Sequence, residues 1–168
     1  MAYTQPPARS SANPVASADW NTYVKDNFIE VEARKETDYV EVTSSVTISA
    51  TSAATANTII TGTAFTPSGS DKYRFEFGIE EVALTVVSSV IFHLYEGATN
   101  LGRLAVVTNP AAAAMSVPVY GAREFTPTNV SHTYSIRAHR VTANATATAG
   151  AGGADVAFPI WFRTTRLP

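Results

Sequence analysis

Cysteine is absent from all 168 residues, so the chain can form no disulfide framework, no thiolate metal site and no cysteine nucleophile. Charge is scarce too: Asp, Glu, Lys and Arg make up 15% of the residues, against about 25% in an average globular domain. Neither sign dominates, and a net charge of -2 argues against the basic stripe of a nucleic-acid binder. No stretch approaches the roughly 20 apolar residues of a membrane span, and Met1 to Pro14 lacks the apolar core of a signal peptide. The expectation is a protein made in a cytosol, with no membrane insertion. A chain that is 45% hydrophobic and so poorly charged is expected to hide part of its surface in an oligomer.

Recognisable catalytic groupings are equally sparse. The histidines, His93, His132 and His139, are too far apart in sequence for a helical metal motif, and the seven-residue step from His132 to His139 places them on opposite faces of a regular strand. They read as surface or interface residues, although symmetry in an oligomer could gather one of them about an axis. No serine sits in a Gly-x-Ser-x-Gly turn. The adjacent carboxylates Glu80 and Glu81 point to opposite sides of a strand, which suits a turn or an edge better than paired acid and base roles. Ala149-Gly-Ala-Gly-Gly153 lacks the Lys-Ser/Thr of a phosphate loop and reads as a hairpin loop between strands. No catalytic residue, cofactor or metal site is therefore expected. Asn129-Val-Ser131 and Asn144-Ala-Thr146 fit the glycosylation pattern, but without a secretory route they read as chance.

What is present divides the chain in two. Ala2 to Pro14 is rich in Pro, Ser and Ala, and Pro6, Pro7 and Pro14 forbid continuous helix, so this segment reads as an extended arm. Ser17 can cap a helix, with Asp19 favourably placed in its first turn. Trp20, Val24, Phe28 and Val31, with Tyr23 alongside, then follow the spacing of one apolar helical face. A helix of about four turns is not stable alone in water. It must dock on its own domain, on sister chains or on another protein.

Beyond the charged stretch Glu30 to Asp38 the pattern changes to period two. Strands are expected around Tyr39 to Ile48, Thr58 to Phe65, Tyr73 to Ile79, Val82 to Val87, Val90 to Tyr95, Leu101 to Val107, Ser116 to Tyr120, His132 to Val141 and Val156 to Arg163. Between them lie turn sequences such as Thr66-Pro-Ser-Gly-Ser70 and Thr126-Pro-Thr-Asn129. Asn109 to Met115, mostly alanine, reads as a loop. The runs on either side of Gly97 should form a hairpin. The whole reads as an antiparallel sandwich or barrel, with residues 1–37 as arm and attachment helix and 38–168 as the β-domain. Arg137, Arg140, Arg163 and Arg166 suit solvated strand faces and a blunted edge; interchain ion pairs or a carbohydrate patch would need Glu76, Glu80, Glu81 or Glu124 nearby.

The stretch Val15 to Phe28 resembles a segment near the N-terminus of many tailed-bacteriophage virion proteins. The matching positions are Ala16, Ala18, Asn21, Thr22, Tyr23, Val24, Asp26 and Asn27, with Lys25 where arginine is usual and without the Trp-x-x-Gly-Glu element that usually precedes it. The remainder is similar in pattern to the jelly-roll heads of the tumour-necrosis-factor and C1q type that cap phage fibres and decoration proteins. Tyr73 to Phe77, the hairpin Phe92 to Leu104 and the closing Phe158-Pro-Ile-Trp-Phe-Arg-Thr-Thr-Arg-Leu167 carry that likeness.

The resemblance implies an all-β antiparallel jelly-roll sandwich behind an arm and one short helix, in a homotrimeric structural protein of the virion. Trp20, Tyr23, Val24, Phe28 and Val31 would form the attachment surface, with the major capsid protein or another virion protein as partner. A capsid decoration or head-fibre role is expected, since no long shaft separates helix and head. The alternative is a tail fibre or minor tail protein that binds a host receptor or surface glycan through aromatics in exposed loops, such as Tyr120 or Phe125.

Overall fold

Strict alternation along β4 (Lys72–Leu84) sets the architecture. Tyr73, Phe75, Phe77 and Ile79 are buried on one face, and Arg74, Glu76, Gly78 and Glu80 lie on the other. At Glu80 and Glu81 the register with the neighbouring strand shifts, and this bulge returns Val82 and Leu84 to the buried face. The two strands expected here are therefore one strand of 13 residues. The carboxylate pair marks a bulge within it, and Thr85 to Val87 turn the chain into β5 (Ser88–Glu96).

The computed structural model describes residues 36–152 and 156–167, which form two antiparallel sheets. The first contains β1 (Glu36–Val42), β2 (Val46–Ile48), β4, β7 (Met115–Phe125), β9 (Ala145–Thr148) and β10 (Ile160–Leu167). The second has the order β3-β8-β5-β6, from β3 (Asn57–Thr61), β8 (Tyr134–Arg140), β5 (Ser88–Glu96) and β6 (Thr99–Asn109). No α-helix occurs among the described residues, whose one helical turn is a 3-10 turn at Ala53–Thr55. The expected helix, with Trp20, Tyr23, Val24, Phe28 and Val31, lies outside them, as does the arm.

β7 runs along one edge of β4 from Tyr73 to Leu84. The other edge is shared: β10 pairs with Lys72 to Gly78, and β9 with Glu81 to Leu84. β1 flanks β10, and β2 flanks β9. β9 and β10 are thus two halves of one strand line, interrupted by residues 149–159, and β1 and β2 form a second line interrupted at Thr43 to Ser45. The segment around Gly150 is consequently not a hairpin loop, because β9 and β10 both pair with β4 and not with each other. The hairpin expected at Gly97 is present, with β5 paired to β6 and Gly97 at a left-handed φ of 55° in the turn.

The inner faces of the two sheets supply one core. Phe75, Phe77, Leu84, Ile160 and Phe162 come from the first sheet, and Ile60, Phe92, Leu94 and Ile136 from the second. Each such side chain contributes about 1.5–3 kcal/mol when removed from water. Aromatic rings are concentrated at one place: Phe75 lies 4.4 Å from Tyr134 and 4.8 Å from Phe125, centroid to centroid. Phe125 therefore packs inward on Phe75 and is not an exposed loop residue.

Candidate functional site

The outward face of the first sheet carries an aromatic and charged array whose layout follows from strand register. Glu76 on β4 stands opposite Arg163 on β10 and Ala122 on β7. Gly78, two residues on, stands between Trp161 and Tyr120. Although Glu76 faces outward it is only 4% exposed, because neighbouring side chains close over it. Its Oε2 accepts hydrogen bonds from Arg163 Nη2 at 2.8 Å and Nε at 3.2 Å. Its Oε1 pairs with Arg74 Nη2 at 3.0 Å and accepts the Tyr120 hydroxyl proton.

Burial works against the charged form of Glu76, but the Tyr120 hydroxyl and the two guanidinium groups outweigh it and hold the carboxyl below the usual carboxylate range. The same hydrogen bond, with some burial, raises the Tyr120 phenol. An ionised carboxylate with every partner engaged is suited to fixing geometry and unsuited to donating a proton.

Gly78 explains how the aromatic part is assembled. A Cβ there would lie 2.4 Å from Trp161 Nε1, so the indole crosses β4 over the space a side chain would fill. Trp161 thereby approaches Tyr120, with ring centroids 6.1 Å apart at an interplanar angle of 45°. The Arg163 guanidinium lies 5.7 Å from the indole centroid. Beside the rings opens a shallow cleft of about 270 Å³, bordered by Gly78, Ile79, Glu80, Pro118, Tyr120 and Trp161. Tyr120 sits within β7, as the expected strand Ser116 to Tyr120 implies and not in an exposed loop, and is 53% exposed.

The arginine expectations divide accordingly. Arg163 and Arg166 pair within the chain, with Glu76 and Asp71 respectively. Arg137 donates to Ser135 Oγ and the Gly97 carbonyl and lies over the Tyr95 ring, while Arg140 donates to the carbonyls of Ser49 and Thr142. Of the acidic residues, Glu81 accepts from Ser116 Oγ at 2.7 Å, and Glu80 has no hydrogen bond or ion pair among the described residues.

The histidines are partly brought together. Adjacent strands stack His93 on His139, with ring centroids 5.1 Å apart and 24° between planes, on the outward face of the second sheet. His132 lies elsewhere, its Nδ1 3.1 Å from a Glu96 carboxylate oxygen. No group of three or more potential metal ligands occurs among the described residues. His93 Nε2 and His139 Nδ1 are buried without a hydrogen-bond partner. Burial depresses both histidines. For His93 the neighbouring His139 and Arg103 add to this, opposed by a hydrogen bond from Asn100.

Arg103 on β6 and Arg137 on β8 are the cross-strand neighbours of His93, so protonation would add charge to an already cationic surface. Because both folded-state values lie below the ordinary 6.5, the unfolded chain takes up protons first as pH falls. The stabilisation present above pH 6.5 is lost progressively below it. The melting temperature should accordingly be level near pH 7–8 and fall as pH drops below about 6.5. A His93→Phe/His139→Phe double variant should flatten that segment; an unchanged slope would assign it to other groups.

Compared with known proteins, the chain matches no family model and no curated protein.

Proposed function

We propose that the chain is a non-catalytic structural protein of a tailed-bacteriophage particle, a homotrimer whose residues 1–37 fix it to the shell while its β-domain projects outward. The position favoured is that of a capsid decoration or head-fibre protein, made in the bacterial cytosol and bound to the major capsid protein or another virion protein.

Strand order is the observation that carries this reading. With each interrupted line taken as one strand, the first sheet runs β1/β2, β9/β10, β4, β7 and faces β3, β8, β5, β6. Eight strand lines arranged so are the pattern of two nested Greek keys, which supports a jelly roll of the kind the sequence resembles. The outward Glu76 cluster adds support, since its groups are committed to one another and hold a face rigid. Such a protein would stabilise a capsid by binding only its assembled state.

Removal of residues 1–35, which leaves β1 whole, tests the assignment. The β-domain should stay folded, sediment as a trimer and no longer bind particles. Loss of folding would place the helix in the domain core. A stable monomer of the full chain would remove the trimer, and immunogold label on the tail would remove the decoration role.

A further inference from the structure

The cleft beside Trp161 has a chemistry that the structural role does not use. We propose that it is a binding site for a neutral saccharide, with one pyranose ring lying against Trp161 and Tyr120. This goes beyond the virion reading and does not depend on where in the particle the protein sits.

Three features of the cleft define its ligand. The first is a pair of aromatic rings held in place before anything binds: Tyr120 by its hydroxyl bond to Glu76, and Trp161 by its passage over Gly78. Ring faces are electron-rich and attract the weakly positive C–H groups of an aliphatic ring. Second, hydrogen-bonding groups stand free at the edge. Glu80 is exposed and unpaired among the described residues, and Trp161 Nε1 donates to no described residue. The cleft thus offers an acceptor and a donor around an apolar shelf, which matches a sugar ring with its C–H face and hydroxyl rim. The third feature is spacing. With centroids 6.1 Å apart, the rings form an open shelf and leave no gap in which a group could be enclosed between them.

Charge selects among ligands. Arg74 and Arg163 are engaged by Glu76, so the free charge at the cleft is the Glu80 carboxylate, which disfavours anionic sugars. A quaternary ammonium group would need aromatic faces around it and would meet Arg163 already seated against the indole. A neutral ring satisfies both conditions. Single-site binding would be weak, and repetition in an oligomer would raise the apparent affinity.

The test uses the full chain with Trp20→Phe, which leaves Trp161 as the only indole. Iodide should quench Trp161 in the assembled protein, and a neutral hexose or its oligomer, from a panel of glucose, galactose, mannose and N-acetylglucosamine forms, should protect it saturably. Tyr120→Ala should weaken that binding about tenfold or more, and Glu80→Gln, an exposed change that leaves the fold intact, by about two- to tenfold. The proposal is overturned by an indole inaccessible to iodide, meaning that another copy covers this face. It is equally overturned by no saturable protection from any member of the panel, by protection unchanged in both variants, or by saturation with choline in place of saccharides.

Discussion

Phe75→Ala is expected to lower the stability of the β-domain by about 3–5 kcal/mol. Phe75 is fully buried and central to an aromatic cluster, stacked on Phe125 at 4.8 Å and tilted against Tyr134 at 4.4 Å. Tyr134 in turn meets Phe65 and His132. Alanine would remove the ring that joins β4 to β7 and, across the core, to β8. The flanking rings are held by other contacts, Tyr134 by its hydroxyl bond to Glu96 at 2.7 Å, so the cavity cannot close fully. A domain of this size has a total stability of about 5–15 kcal/mol, so the variant should sit near the limit of folding. Urea unfolding followed by circular dichroism would show a midpoint shifted to much lower denaturant with an unchanged slope. A loss below about 1 kcal/mol would mean that the cluster repacks freely.

The second large effect is expected at Glu76. Glu76→Ala should cost about 2–3 kcal/mol, which is less than the loss for a fully buried pair because both guanidinium groups are 42% exposed and can be hydrated. The variant leaves Arg74 and Arg163 facing each other across an empty site and removes the acceptor of the Tyr120 hydroxyl. Glu76→Gln keeps an acceptor and loses the charge, so its cost should be intermediate. The pH dependence gives an independent check. The carboxyl value is depressed on folding, so the stabilisation is present above about pH 4.5 and lost as pH falls through the lower folded-state value. In Glu76→Ala that acid-side loss should be smaller than in the unaltered chain, as measured by chemical unfolding at a series of pH values.

The sequence made the general architecture legible because alternation is local. Tyr73 to Phe77 reads as a strand with aromatics inward, and the turn at Gly97 reads as a hairpin. Features that depend on a neighbouring strand were not legible. β9 leaves little trace in the sequence because Ala145 and Ala147 are its only core residues, and alternation of alanine with threonine carries little hydrophobic contrast. The bulge at Glu80 and Glu81 looked like a break between strands, since it disturbs the period without interrupting the pairing with β7.

The candidate site shows the same limit. Tyr120 could be named in advance, but its partners Glu76 and Trp161 lie 44 and 41 residues away in sequence and meet it only through β4 and β10. One local signal was available: Gly78, a glycine in the middle of an otherwise bulky strand, often marks close approach by another group. His93 and His139 likewise meet through pairing of β5 with β8, which distance along the chain conceals.

The broken strand line of β9 and β10 also has a bearing on how this domain could vary. The chain leaves the sheet after Thr148 and rejoins it at Ile160 in the same line, so β4 fixes both points of departure and return. Residues between those points can change in number without shifting any pair in the ladder, and the entropic cost of a longer excursion grows slowly, by about 0.6 kcal/mol per doubling. Exposed Val156 and Phe158 lie within it. The domain thereby carries a natural cassette, a place where new peptide can be displayed while the framework that holds it keeps its pairing.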